Sequence, residues 1–186
     1  MCILPFTSLM PERSRGKMRT VIIFFLLASP VFAQSAVTAA APTACGPVDV
    51  KFDVKPDPAP PHSELPSGKA IIYVIEDVGE SAYGWITIRV GLDGSWIGAG
   101  RGNSYFSFVV SPGEQHLCAN WQSSLRSQSS LYSLTNFTAE PGKVYYFRTQ
   151  VWFSNTIARI ELNPVNSDEG QYQIAAFPLV ASHPKK

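Results

Sequence analysis

The chain has 186 residues, of which 45% are hydrophobic and 16% charged. Four of its 15 basic residues and one of its 14 acidic residues precede position 34, so the remaining 153 residues carry a net charge of −2. This balance gives no electrostatic basis for binding nucleic acid or an anionic membrane, and the length suffices for one domain with a hydrophobic core.

Residues 1–33 have the parts of a secretory signal peptide. A basic segment precedes the apolar run Val21–Ala28, and small residues after this run predict cleavage before Gln34. A membrane anchor is the alternative, but the run is shorter than the roughly 20 residues of a spanning helix, so no membrane span is expected after cleavage. Met18 directly precedes the compact signal, which makes residues 1–17 a candidate extension from a misassigned start codon. The protein is expected to be secreted or periplasmic.

The cysteines agree with export. Cys2 precedes the predicted cleavage site, which leaves Cys45 and Cys118 to form a disulfide in an oxidising compartment. In the chain-entropy model, a bond that closes so long a loop contributes about 4 kcal/mol. Lipid attachment at Cys45 is the alternative, although Pro42-Thr43-Ala44 is a poor match to a lipoprotein signal.

The exported chain is predicted to be all-β. Residues 34–44 are small and Ala-rich, which indicates a flexible leader, and a loop over residues 55–68 contains five prolines. Short segments rich in β-branched and aromatic residues then alternate with turn residues such as Asp93-Gly94. The predicted strands are Val48–Val54, Lys69–Glu76, Tyr83–Val90, Ser95–Gly100, Ser104–Val110, Gln115–Trp121, Leu134–Glu140, Val144–Phe153 and Ile157–Val165.

This pattern predicts an antiparallel β-sandwich of seven to nine strands, formed by one domain over residues 45–186. A polar loop is expected over Ser123–Ser130. The only helix expected is a short C-terminal one over Ser167–Phe177, with Ser167 as its N-cap. The tail from Ser182 onward is expected to be frayed.

The stretch from Gly91 to Phe106, "GLDGSWIGAGRGNSYF", contains three glycines at a spacing of two. A phosphate-binding loop is excluded because a strand follows the glycines, where the helix N-terminus of such a loop is required. In an extended strand the glycines form a bare strip that accepts a bulge, an aromatic side chain (Trp96 has the same parity) or a ligand. The candidate binding surface comprises Trp96, Gly98, Gly100, Arg101, Gly102, Tyr105 and Trp121, although core packing is the default for such aromatic residues.

Nothing in the sequence predicts catalysis, a cofactor or a metal. The three histidines, His62, His116 and His183, lack metal-ligand spacing, and the nucleophile motif Gly-x-Ser-x-Gly does not occur. No catalytic, cofactor-binding or metal-ligating residue is therefore assigned. A buried cluster drawn from Glu76, Asp77, His116 and Glu161 would favour an enzyme instead.

Five segments together resemble an uncharacterised bacterial domain family of secreted proteins and envelope lipoproteins. They are "GKAIIYVIE", "VGLDGSWIGAGRGNSYF", "SPGEQHLCANW", "FTAEPGKVYYFR" and "NSDEGQY", and the resemblance extends from Cys45 to the C-terminus. It implies a compact β-sandwich similar to transthyretin-like and carboxypeptidase-regulatory-like modules, and it provides no catalytic residues. The chain differs from the lipoprotein members because it lacks their lipid-modified cysteine.

The sequence thus predicts an exported, non-catalytic β-sandwich with a role in binding or in envelope structure. Its partner would be a protein or an envelope glycan. The alternative is a glycan-binding accessory module or a hydrolase of the cell envelope. An exposed aromatic patch would favour binding, whereas ionisable groups gathered in a cleft would favour catalysis.

Overall fold

The computed structural model describes residues 42–58, 65–78, 85–153 and 157–186. The predicted signal peptide over residues 1–33 and the predicted leader up to residue 41 lie outside the described residues, as does His62. The described part of the chain forms ten strands and two helices. In chain order these are β1 (Phe52–Pro56), β2 (Ala70–Glu76), β3 (Thr87–Leu92), β4 (Ser95–Arg101), β5 (Ser104–Val110), β6 (Gly113–Trp121), α1 (Arg126–Ser129), β7 (Tyr132–Ala139), β8 (Val144–Phe153), β9 (Ala158–Val165), α2 (Ser167–Ala176) and β10 (Val180–Pro184).

Eight strands form two packed four-stranded sheets, with the orders β5-β2-β8-β9 and β4-β3-β6-β7. The predicted all-β sandwich is confirmed. Two details differ from the prediction. Strands β2 and β8 run parallel, whereas the other paired strands are antiparallel. The described residues also form ten strands, one more than the upper limit of the prediction, because the C-terminal tail forms β10.

The hydrophobic core lies between the two sheets. On β2, Ala70, Ile72 and Val74 point inward and pack with residues of β3 and β6. The alternate residues Ile71, Tyr73 and Ile75 form a second buried cluster on the outer face of the same sheet. A strand that is buried on both faces is apolar throughout, which explains the continuous run "AIIYVI".

Helix α2 lies against the outer face of the β5-β2-β8-β9 sheet, where Ile174 and Phe177 pack on the second cluster. Its N-cap is Asn166, whose side-chain oxygen accepts a hydrogen bond from the amide of Glu169 at 2.9 Å. The prediction of Ser167 as the cap is therefore wrong by one residue. Asn166 satisfies an amide that would otherwise have no partner in the first turn.

The C-terminal tail is ordered into β10, which pairs with β1 in a two-stranded sheet from Phe52↔Pro184 to Pro56↔Val180. The prediction of a frayed tail from Ser182 onward is therefore wrong. Such pairing joins segments that are far apart in the sequence, so the composition of the tail alone does not indicate it. Within the predicted polar loop, a single helical turn, α1, replaces irregular chain.

Candidate functional site

Cys45 and Cys118 form a disulfide with a Cα–Cα distance of 5.3 Å, which confirms the predicted pair. The bond holds the N-terminal segment against the outer face of the β4-β3-β6-β7 sheet. Ala44 is buried, and the amide of Cys45 donates to the carbonyl of Pro42 at 2.9 Å. Pro42 and Ala44 thus pack with the domain, although the sequence places them in the leader.

Arg89 of β3 is buried under this N-terminal segment and is 4% exposed. Its guanidinium donates to the carbonyls of Val48 and Val50 and to the side chain of Asn120, and it stacks 4.4 Å from the ring centroid of Trp96. Burial lowers the pKa of this guanidinium from its ordinary value. Because these contacts are all internal, we assign Arg89 to holding the N-terminal segment in place.

A groove of about 490 Å³ lies between the N-terminal segment and the neighbouring strands β6 and β7. One wall is formed by Pro42, Thr43 and Ala44. The opposite side contains the exposed Leu134 and the imidazole of His116, whose Nδ1 lies 3.2 Å from Oδ1 of Asp93. The sequence did not indicate this groove, because the disulfide-linked segment creates it.

The glycine strip is covered by the protein itself. A Cβ atom added at Gly98 would lie 2.9 Å from Cε2 of Phe106, and one added at Gly100 would lie 2.6 Å from Oε2 of Glu76. Both glycines therefore face the space between the sheets. They provide room for an aromatic ring and a carboxyl group, and this part of the candidate binding surface is internal.

Trp96 lies on the opposite face from these glycines. Gly91 pairs with Trp96 and Val90 pairs with Gly98, so Ile97 is the extra residue of a β-bulge. A bulge of one residue reverses the alternation of side chains, which explains why Trp96 does not cover the strip. The indole nitrogen of Trp96 instead donates to the carbonyl of Pro47 at 2.7 Å.

The remaining residues of the candidate surface are also dispersed. Tyr105 is buried on the outer face of the other sheet, where its ring lies 6.2 Å from that of Tyr73. Trp121 is buried and makes an edge contact with Phe153 at 5.5 Å. Gly102 adopts a φ of 65° at the turn after the exposed Arg101. The structure thus does not bring the seven residues onto one exposed surface.

Glu76 is a buried carboxyl group at the end of β2. It points between the sheets and is 2% exposed. Burial raises its pKa well above the ordinary value of glutamate, and the backbone groups of Ile88 and Gly102 together with Arg101 oppose this rise. Within the described residues, neither Oε1 nor Oε2 of Glu76 accepts a hydrogen bond, so the two backbone groups act on the carboxyl group only by their proximity.

The four residues that would indicate an enzyme are not gathered into one cluster. Glu76 faces the core, whereas Asp77 and Glu161 lie on the outer face of its sheet. His116 is exposed on the other sheet, beside Asp93 and Glu114. Among the residues that the structure describes, no group of three or more His, Cys, Asp or Glu side chains is arranged to hold a metal ion.

A polar and aromatic surface lies on the outer face of the β5-β2-β8-β9 sheet, beyond the area that α2 covers. Residues Gln150 and Trp152 of β8 are directly opposite Glu161 and Arg159 of β9. Asp77 directly follows β2, and its amide donates to the carbonyl of Thr149 at 2.9 Å, so the pairing with β8 continues to this residue. Its side chain lies on the same outer face as that of Ile75, two residues earlier. We call Asp77, Gln150, Trp152, Arg159 and Glu161 the Trp152 patch.

Trp152 is 47% exposed, and the guanidinium of Arg159 lies 5.8 Å from its ring centroid. Arg159 also forms an ion pair with Glu161 at 2.9 Å. On the other side, Oδ2 of Asp77 accepts long hydrogen bonds of 3.4 Å from the amide nitrogens of Gln150 and Gln173. The patch therefore surrounds an open indole with donors and acceptors, of which Asp77 makes only long hydrogen bonds.

The sequence contained a signal for this patch that was missed. In "VYYFRTQVWF", Arg148, Gln150 and Trp152 have the same parity, so a strand places all three on one face. Two polar neighbours indicate that this face is solvated, and that Trp152 is exposed with them. A count of aromatic residues in strands does not distinguish Trp152 from Phe147, which is buried on the other face.

Comparison with known proteins adds no relative: no family model matches the chain, and neither the curated proteins nor the solved structures searched contain a match. Within its described residues, the protein has no helix that is both long and apolar enough to cross a bilayer.

Proposed function

We propose that the protein is an exported, non-catalytic binding module that presents the Trp152 patch to a ligand outside the cytoplasm. The observation that carries this proposal is the 47% exposure of Trp152 on a strand face that α2 leaves uncovered. Burial of a large aromatic side chain is favourable, and Trp is enriched at interfaces because it combines an apolar ring with a hydrogen-bond donor.

Export is supported by two features. The N-terminal sequence has the organisation of a signal peptide. The bond between Cys45 and Cys118 is of a kind that persists in oxidising compartments and is rare in the cytosol. Mass spectrometry of the protein collected outside the cytoplasm should find an N-terminus at Gln34 and no free thiol. An N-terminus at Met1, or a free thiol at Cys118, would contradict export.

A binding role fits the patch better than hydrolysis. Its two carboxylates, Asp77 and Glu161, lie on strands that flank β8, so their backbones are about 10 Å apart. Paired carboxylates that cleave glycosidic bonds face each other across the scissile bond, whereas these two contact different neighbours, Asp77 the side chains of Gln150 and Gln173 and Glu161 that of Arg159. Glu76, which has the raised pKa, is enclosed in the core, where a substrate has no access.

Site-specific crosslinking tests the proposal. A photoreactive side chain is placed at Asn163, which shares the outer face of β9 with Arg159 and Glu161, and the purified protein is mixed with envelopes of the cells that produce it. We expect a crosslinked product that disappears when the same chain also carries the Trp152→Ala substitution. A probe at Tyr172, on the exposed side of α2, serves as the control. Identical products from both positions, or a product insensitive to Trp152→Ala, would contradict the proposal.

A further inference from the structure

We infer that the Trp152 patch binds a saccharide made of uncharged rings, an inference that rests on the binding function proposed above. The open indole is the first reason. The guanidinium of Arg159 lies 5.8 Å from the ring centroid, near the outer limit of about 6 Å for a cation–π contact, so it borders the ring and leaves it accessible. A sugar ring has an apolar face of C–H groups that buries its surface against such an indole.

The polar groups around the indole match the chemistry of sugar hydroxyls. Each hydroxyl both donates and accepts, and the patch offers acceptors on Asp77 and Glu161 and donors on Gln150 and Arg159. The hydrogen bonds of 3.4 Å that join Asp77 to Gln150 and Gln173 are long, so a hydroxyl that replaces them displaces little binding energy. Because Asp77, Glu161 and Arg159 are charged, their hydrogen bonds to sugar hydroxyls are stronger than hydrogen bonds between uncharged groups.

The position of the patch argues against a peptide strand as the ligand. Strand β8, which carries Trp152, is paired with β2 and with β9, so a peptide strand added at the edge of the sheet beside β9 would not pair with the strand that carries the indole. The patch also spans only about 7 Å along the strands and about 10 Å across them. A stable protein interface buries about 800 Å² on each partner, far more than this patch provides.

The charge of the patch argues against an acidic glycan. Two carboxylates and one guanidinium give it a formal charge of −1, and Arg159 is already paired with Glu161. A uronate or phosphate group would approach like charges and is disfavoured. The ligand class that fits the indole, the mixed donors and acceptors, and the charge is therefore an uncharged saccharide.

The test is a titration of the purified exported protein, labelled with ¹⁵N, with two soluble neutral oligosaccharides, one of glucose and one of N-acetylglucosamine. The indole N–H signal of Trp152, assigned from its loss in Trp152→Ala, and the backbone amide signals of β8 and β9, which every variant retains, are followed up to about 10 mM, which suffices to detect a Kd near 1 mM. We expect a saturable shift with at least one saccharide. We also expect Trp152→Ala to weaken binding about tenfold or more, and Gln150→Ala to weaken it by a smaller factor.

Two controls make the result decisive. Tyr172→Ala removes an exposed aromatic side chain outside the patch and should leave the affinity unchanged. Trp152→Phe keeps a flat apolar ring and should retain most of the affinity. If neither saccharide causes a saturable shift, or if Trp152→Ala binds as tightly as the unchanged protein, the inference is wrong. If crosslinking at residue 163 then still captures a Trp152-dependent partner, the proposed binding function stands without it.

Discussion

The backbone of Gly170 in α2 packs directly against the ring of Tyr146 in β8. A Cβ atom at position 170 would lie 2.3 Å from Cγ of Tyr146, well inside van der Waals contact. A glycine inside a helix lowers the stability of that helix, so its presence in α2 calls for a structural reason. The structure gives it a role, because the close approach brings α2 onto the sheet and defines the border of the Trp152 patch.

Replacing Gly170 with alanine should therefore destabilise the protein. The higher helix propensity of alanine contributes up to about 1 kcal/mol, whereas overpacking against Tyr146 costs about 1–3 kcal/mol. We expect a net loss of stability in urea unfolding. The control is Gln171→Ala, which changes the next, exposed residue of the same helix and should be neutral or slightly stabilising. A Gly170→Ala variant more stable than the unchanged protein would contradict this packing.

The buried carboxyl of Glu76 predicts that stability depends on pH. Its pKa is higher in the folded state than in the unfolded state, so folding favours the protonated form. The contribution of protonated Glu76 to the free energy of unfolding is fully present below the unfolded-state pKa. It is lost as the pH rises through the folded-state pKa, and the free energy of unfolding then falls by at most about 1.4 kcal/mol per pH unit.

Urea unfolding over a series of pH values measures this dependence. Glu76→Gln removes the ionisation and should flatten the fall in stability, while Glu140→Gln, at an exposed turn, should leave the fall unchanged. If Glu76→Gln and the unchanged protein lose stability in parallel as the pH rises, the ionisation of Glu76 is not the cause.

The disulfide predicts a large effect of reduction. The bond joins residues separated by 73 positions, and removing a native disulfide of this kind typically costs about 2–5 kcal/mol. We expect a reductant to lower the urea midpoint of the unchanged protein by a corresponding amount. The double variant Cys45→Ala, Cys118→Ala should match the reduced protein and should not respond to reductant. An unchanged midpoint on reduction would show that the bond contributes nothing to stability.

The covered glycine strip predicts that alanine is poorly tolerated at Gly98. The added Cβ would lie 2.9 Å from Cε2 of Phe106, so we expect a loss of about 1–3 kcal/mol in the free energy of unfolding. Phe106→Leu alone should also destabilise, but the two changes together should cost less than their sum, because the smaller side chain leaves room for the Cβ. Full additivity would indicate that the two residues do not touch.

Local patterns were sufficient where a strand or turn depends on neighbouring residues. Strands β5 and β8 have their predicted bounds. The predicted Asp93-Gly94 turn has positive φ angles of 47° and 89°, as a tight hairpin requires. Alternating side chains and turn residues act over a few positions, so their signal is present in the sequence itself.

Long-range pairing was not predictable in the same way. The tail was expected to fray, but β1 provides it with a partner about 130 residues earlier in the chain. The bulge at Ile97 moved Trp96 away from the glycines, and a single extra residue leaves no clear mark on composition. Tyr105 and Trp121, on β5 and β6, are buried by contacts with Tyr73 and Phe153, which lie on other strands.

By itself, the sequence determined the β-rich class, the disulfide pair and most strand positions, because these follow from side-chain type and short spacings. Only the tertiary structure decided which face of each strand is covered. Gly98 and Gly100 are covered by Phe106 and Glu76, whereas Trp152 stays open because α2 ends its coverage near Asp77. Burial depends on what packs against a face, and those partners come from distant parts of the chain.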